Sequence, residues 1–384
     1  MGDAKQRSLS NKNQLGPFPV EKLRRVDKPT NLITDNVQRI DQRQTATGKA
    51  ARGEYGEAVQ KGNQRLTERD PVTEAIIDIN HHLGAIKRND VAPVKAPISN
   101  DPEVLSLHIK QLGYFLKADV MGICELPPSA VYSHDRSGNT IDLHYKYAVV
   151  IVARKDIKAV KASQGYDFIA DALSMQAYEQ SSLIAETISG YIRRLGYPAL
   201  PQSSAAGYKV QIPRLLVQAG IGEVCRVGIV LNPFLGLAYK AAAVLTDMPL
   251  VPDKPIDFGL QDFCRRCRKC ARFCPSKAIP TGDKTMYNGY ATWKLNEQKC
   301  ASFLMLNKRG IWCNMCVKVC PWTQPDTWPH RLVRRFVQTS GLARSIAIKG
   351  DQLFGHTQGK AEDQWWFDLK YENRVLQVPG SGKS

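Results

Sequence analysis

Eight of the ten cysteines in this 384-residue chain lie between residues 264 and 320, in two runs that each close on Cys-Pro. The first is Cys264-x2-Cys267-x2-Cys270-x3-Cys274-Pro275, and the second is Cys300-x12-Cys313-x2-Cys316-x3-Cys320-Pro321. A fold built on such runs must wrap its chain around inorganic cofactors, because the spacing is that of bacterial chains holding two four-iron clusters. In that pattern the last cysteine of each run crosses to the other cluster. Cys264, Cys267, Cys270 and Cys320 therefore form one ligand set, and Cys300, Cys313, Cys316 and Cys274 the other. The long first gap of the second run predicts an insertion that loops out between Cys300 and Cys313. Structural zinc favours paired Cys-x2-Cys knuckles, and neither run divides into two of them. A disulfide framework belongs to short chains in oxidising compartments. Electron transfer is the chemistry to expect, with Cys124 and Cys225 left over as buried free thiols.

The net charge of +17 is concentrated around those runs: residues 261–345 hold sixteen Lys and Arg against four Asp and Glu. Cations beside thiolate-bound clusters balance their negative charge and raise their potentials. A basic rim also steers an acidic electron donor such as a ferredoxin or flavodoxin. No aromatic-interleaved basic strand or reading helix accompanies the charge, so nucleic acid is not the expected partner. No apolar run approaches the roughly 18–20 residues of a membrane helix. Arg24-Arg25 is followed by Val-Asp-Lys-Pro-Thr-Asn rather than an apolar export region, so the expectation is a soluble, cytoplasmic protein without a transmembrane segment.

Patterning divides the chain into four parts. Residues 1–100 are polar and weakly periodic, an irregular arm in which 42–70 reads as a solvated wrap and 72–80 as a docking helix. Residues 101–250 alternate helices and strands: helix 101–112, strand 118–126, strand 145–153, a long helix 166–195, helix 213–219 and strand 227–231. In the long helix Ile184, Ile188 and Ile192 stack on one face and Gly196 stops it. The proline-rich 248–255 leads into a cluster domain, 251–345, followed by a tail, 346–384, expected to pack on the core. Neither a Gly-x-Gly-x-x-Gly fingerprint nor a Walker A motif is present, so no nicotinamide, flavin or nucleotide site is indicated.

Residues 240–275, KAAAVLTDMPLVPDKPIDFGLQDFCRRCRKCARFCP, and the second cysteine run resemble the corrinoid-dependent reductive dehalogenases. Ala219-Gly-Ile-Gly-Glu-Val-Cys-Arg226, Tyr191-Ile-Arg-Arg-Leu-Gly-Tyr197 and Asp351-Gln-Leu-Phe-Gly355 carry the same likeness, which runs from about 105 to 356. The resemblance implies an α+β architecture: a nitroreductase-like α/β domain binding cobalamin (a corrinoid) in the base-off state, followed by a ferredoxin-like domain with two 4Fe-4S clusters. No Asp-x-His-x-x-Gly motif is present, and Asp78 stands at the wrong distance from His81 and His82.

That family's chemistry takes halide from an organohalide, and the carbon left behind needs a proton. A tyrosine serves when a neighbouring cation lowers its pKa. The resemblance puts the proton donor at Tyr178, with Tyr166 as the alternative, and the cation at Arg226. Packing of Tyr178 and a local Arg226–Glu223 ion pair are the competing readings. The loop 201–208 departs from the family by placing Ser203 or Ser204 where an Asn is usual, with Tyr208 and Lys209 close by. The function implied is that of an oxidoreductase, a cytoplasmic reductive dehalogenase. Its alternatives are a reductase like the more distant epoxyqueuosine reductase, acting on a tRNA base, and a ferredoxin-type carrier.

Overall fold

In the computed structural model, which describes residues 14–64, 71–86, 90–163, 168–307, 312–354, 370–372 and 375–377, the apolar run at 145–153 becomes the middle of an antiparallel sheet. Helix α1 (Pro71–Ala85) precedes α2 (Pro102–Phe115), which starts where the Asp101 carboxylate accepts the Glu103 N–H and Pro102 sets the first turn. Strands β1 (Val120–Glu125) and β2 (Tyr147–Arg154) follow, then the long helix α3 (Phe168–Arg194), β3 (Ala199–Gln202) and α4 (Ile212–Gln218). A hairpin of β4 (Glu223–Val224) and β5 (Val230–Leu231) leads to β6 (Tyr239–Thr246). The four-stranded sheet runs β1-β2-β6-β3, with Ile151 opposite Ala242 and Val149 opposite Val244.

Strand alternation divides the core between the two faces of this sheet. Val149 and Ile151 of β2 and Ala242 and Val244 of β6 pack with Ile184, Ile188 and Ile192 of α3 and with Leu105 and Ile109 of α2. Val150, Val152, Ala241 and Ala243 face the other way, into a cluster that runs through Leu215 to Phe258, Phe263 and Trp322. Burying each large side chain here stabilises the fold by about 1.5–3 kcal/mol. One apolar core thus extends from the sheet into the cysteine-bearing segment.

The expectation of a strand over 227–231 is corrected. Only Val230–Leu231 is extended, and it pairs with β4; β6 fills the sheet instead. Its three consecutive alanines are weak strand formers, but Ala242 lies among the isoleucines of α3, and small side chains there let a helix sit close to the sheet. The arm is also more ordered than its composition predicts. Ala46–Ala51 and Glu57–Gln64 are helical, and Ala50 and Val59 bury against Met305. Gly62 permits the contact, since a Cβ there would lie 2.5 Å from the Met305 carbonyl oxygen.

The cysteine-bearing segment holds α5 (Leu260–Cys267), α6 (Glu297–Leu306) and α7 (Met315–Lys318), then α8 (Trp328–Thr339) and α9 (Gly341–Phe354). The insertion between Cys300 and Cys313 is helical as far as Leu306. Helix α9 is tied down by Arg344–Asp262 (3.2 Å) and Lys269–Asp351 (2.6 Å). Of the tail expected to pack on the core, residues 355–369 and 378–384 lie outside the described residues. No helix among the described residues is long and apolar enough to cross a membrane.

Candidate cluster sites and proton-donor site

Helix α5 begins after Gly259, in the left-handed region at φ 76°, and ends at Arg268, also left-handed at φ 53°. That reversal turns the chain back on itself between Cys267 and Cys270. Cys264, Cys267, Cys270 and Cys320 line one cavity, closed by Phe263 and Trp322. These are the four cysteines that spacing groups together, and Cys225 lines the cavity with them. The sulfurs surround a space rather than a point: among the described residues no three His, Cys, Asp or Glu converge closely enough to grip a single ion. The other set is also gathered, since Cys316 is under the electrostatic influence of Cys313, Cys300 and Cys274.

Burial pushes the thiols up, Cys300 and Cys313 to about 11 and Cys320 to about 12. Cys274 goes the other way: desolvation opposes ionisation, but hydrogen bonds from Ser276 and from the Ala278 and Ile279 amides outweigh it. The Ala278 N–H lies 3.4 Å from its sulfur. Buried thiols with no carboxylate or imidazole among the residues lining the Cys264 cavity suit an iron–sulfur cluster, which deprotonates its ligands on binding.

Tyr178 projects from α3, and the cation beside it is Lys240 of β6. Lys240 Nζ donates to Tyr178 Oη at 3.3 Å and sits 4.3 Å from the ring centroid. Trp312, just ahead of Cys313, has its ring centroid 5.9 Å from the same ammonium. Tyr208 donates to the Ala241 carbonyl at 3.3 Å and stands within electrostatic range of Tyr178. The fallback Tyr166 lies outside the described residues.

The helix that carries Tyr178 also holds the second-cluster loop. Asn314 donates to the Ala170 carbonyl at 2.8 Å, and the Trp312 N–H to the Asp171 carboxylate at 3.0 Å. From Ala170 to Tyr178 is about 12 Å along the helix axis. Lys155, 2% exposed, caps this joint by donating to Ser174 Oγ at 2.8 Å and Asn314 Oδ1 at 3.4 Å. Burial drives its ammonium pKa well down and Lys240 adds to that, against weaker support from Cys316 and Asp171.

Arg226 is elsewhere. It is 1% exposed and donates to the carbonyls of Cys264 (3.0 Å), Pro280 (2.9 Å) and Gly282 (3.0 Å), with Trp293 stacked at 4.5 Å. The guanidinium therefore braces the backbone of the first cysteine run, and the cation expected at Tyr178 is a different residue. The local ion pair with Glu223 does not form either. Glu223 accepts from Thr30 (2.5 Å), the Phe258 N–H (3.0 Å) and Gln261 (3.2 Å). Gly220 and Gly222 make this segment possible: Gly220 has φ 65°, and a Cβ at Gly222 would meet the Leu231 carbonyl at 2.2 Å.

In the departing loop, Ser203 closes a turn by accepting the Ala206 N–H, while Ser204 contacts Ser182 (3.1 Å) and receives the Asn80 amide (2.8 Å). An amide does reach this place, brought by α1. Asn80 Oδ1 is buried without a partner. Sequence reasoning missed Lys240, Lys155 and Asn80. The one available signal was a charge set into an apolar strand, Tyr239-Lys240-Ala-Ala-Ala-Val-Leu.

Residues 263–324 match the 4Fe-4S dicluster domain family. A tetrachloroethene reductive dehalogenase of Desulfitobacterium hafniense is 34% identical over 55% of this chain and 39% of its own length. That of Sulfurospirillum multivorans is 27% identical over 71% of this chain and 61% of its own. The chain thus spans 39% and 61% of the lengths of these two relatives, less than two thirds of either. Among solved structures, a catabolic reductive dehalogenase in complex with 3-bromo-4-hydroxybenzoic acid is 34% identical, with a TM-score of 0.89 over 100% of this chain and 56% of that one. An epoxyqueuosine reductase of Pseudomonas aeruginosa is 24% identical over 46% of this chain and 49% of its own length. By sequence and by fold the chain is similar to the reductive dehalogenases, and by sequence, more distantly, to epoxyqueuosine reductase.

Proposed function

We propose that this chain is a reductive dehalogenase that replaces the halogen of a small organohalide with hydrogen. The reaction consumes two electrons and one proton: the carbon–halogen bond breaks, halide leaves, and a carbon–hydrogen bond forms. The observation that carries the reading is the contact of Lys240 on β6 with Tyr178 on the helix that also anchors the Cys313–Cys316 loop. Electrons arriving one at a time through two clusters reach the place where a proton donor stands. Tyr178 Oη gives the proton to carbon, and the Lys240 ammonium stabilises the phenolate left behind. Lys155 and Asn314 hold the cluster loop in register with that helix. The relatives named for tetrachloroethene and the one bound to a bromohydroxybenzoate support a small organohalide as substrate.

A solved reductive dehalogenase structure that suggests a mechanism for B12-dependent dehalogenation, 34% identical to this chain, supports cobalamin as the second cofactor, which we read as bound base-off. Bound, it would supply low-valent cobalt as the reductant of the carbon–halogen bond. The unpartnered acceptor Asn80 Oδ1, beside Ser204 and Ser182, suits the peripheral amides of a corrin. The basic 261–345 segment suits an acidic ferredoxin or flavodoxin as donor, in the cytoplasm.

The test is anaerobic reconstitution with iron, sulfide and hydroxocobalamin, followed by metal analysis, EPR and halide release from an organohalide panel. About one cobalt and about eight irons per chain, with halide released, is the expected result. Eight irons with no cobalt would leave an electron carrier and sink the reading.

A further inference from the structure

Cys225 reads from sequence as an ordinary buried thiol. The structure gives it a specific address: 2% exposed, it lines the same cavity as Cys264, Cys267, Cys270 and Cys320. Four cysteines already satisfy a four-iron cluster, so a fifth sulfur in that cavity is surplus to ligation.

Its position is held from several sides. The Cys225 N–H donates to the Ile229 carbonyl and its own carbonyl accepts from Gly228, both at 2.9 Å. Two residues before it, Glu223 ties the hairpin to Phe258, and the next residue, Arg226, ties it to Cys264, Pro280 and Gly282. Arg226, which lines the cavity together with Arg268, is occupied with the backbone carbonyls of Cys264, Pro280 and Gly282.

We propose that the Cys225 thiol donates an S–H hydrogen bond to the sulfurs of the cluster held by Cys264, Cys267, Cys270 and Cys320, making it a potential-setting residue rather than a ligand. A donor aimed at cluster sulfur favours the reduced, more negative state and raises the potential. The inference rests on the cluster reading of the cavity, and needs neither cobalt nor an organohalide. Cluster occupancy, tested by iron count, is therefore read separately from dehalogenation.

The experiment is an EPR-monitored redox titration of the iron-loaded full chain as wild type, Cys225→Ser and Cys225→Ala. In Cys225→Ala the ratio of reduced to oxidised cluster at a fixed solution potential falls roughly threefold, which for one electron is about 28 mV at 59 mV per decade. Cys225→Ser keeps a donor and shifts less. The cluster of Cys300, Cys313, Cys316 and Cys274 stays in place as an internal reference. An unchanged potential in Cys225→Ala with about eight irons bound overturns the proposal. So does loss of about four irons, which would make Cys225 a ligand or a structural support.

Discussion

Lys240 Nζ lies 3.3 Å from the Tyr178 hydroxyl and 4.3 Å from the centre of its ring, so one ammonium touches both the acid and the π-face of the same side chain. The helix and the strand that carry them are packed through Ile188 and Ala242, deep in the core. The core therefore fixes the backbone positions of both residues, so small substitutions can test the pair's role without moving the fold.

Tyr178→Phe keeps the ring and removes the proton. Halide release should fall about 10²- to 10⁴-fold, with iron content and melting temperature unchanged. Retained turnover removes Tyr178 as the donor.

Lys240→Gln should lower turnover at least about tenfold, while Lys240→Arg recovers part of it. Combined with Tyr178→Phe, the losses should be far from additive, because the two groups act as a unit. Additive losses in the double mutant would place Lys240 outside the proton-transfer step.

Arg226→Ala strips the carbonyl oxygens of Cys264, Arg265, Pro280 and Gly282 of a charged donor in a buried site. A loss of about 3 kcal/mol is expected, visible as a lowered urea midpoint and as reduced iron retention. A stable, fully iron-loaded variant with only turnover impaired would contradict the bracing role.

Asn314→Ala cuts the tie between α3 and the second-cluster loop. The EPR signal of the cluster held by Cys300, Cys313, Cys316 and Cys274 should broaden or weaken, while that of the other cluster is preserved. Equal damage to both would argue against a local tie.

Removal of iron exposes the acid–base character of the thiols. Desolvation raises Cys300 and Cys313 to about 11 and Cys320 to about 12, above the ordinary thiol value of 9. Groups whose folded pKa is raised favour the folded state fully below the unfolded value. That contribution is lost as pH rises from about 9 through 11 to 12. The iron-free chain should therefore lose stability across that window in urea titrations. Cluster assembly should release protons and proceed faster at pH 8.5 than at pH 7, as read by proton release in weak buffer. Assembly indifferent to pH would mean that the thiols are already ionised.

The sequence by itself determined the two cysteine runs, the strands at β1 and β2, the long helix α3, and the kinship with the dehalogenases. These are local quantities: a Cys-x2-Cys spacing or a run such as 145–153 needs no knowledge of distant residues. What faces what was decided by tertiary structure. Arg226 followed Glu223 in a motif and drew attention, yet a hairpin turned it toward Pro280 and Gly282. Lys240 sits in an alanine-rich strand with weak strand propensity, and joins Tyr178 only once antiparallel register sets Ala242 opposite Ile151, under α3. Cys225 looked like any buried thiol until the first run and Cys320 closed around the same cavity. In each case the deciding contact links residues far apart in the chain, and periodicity carries no information about such pairs.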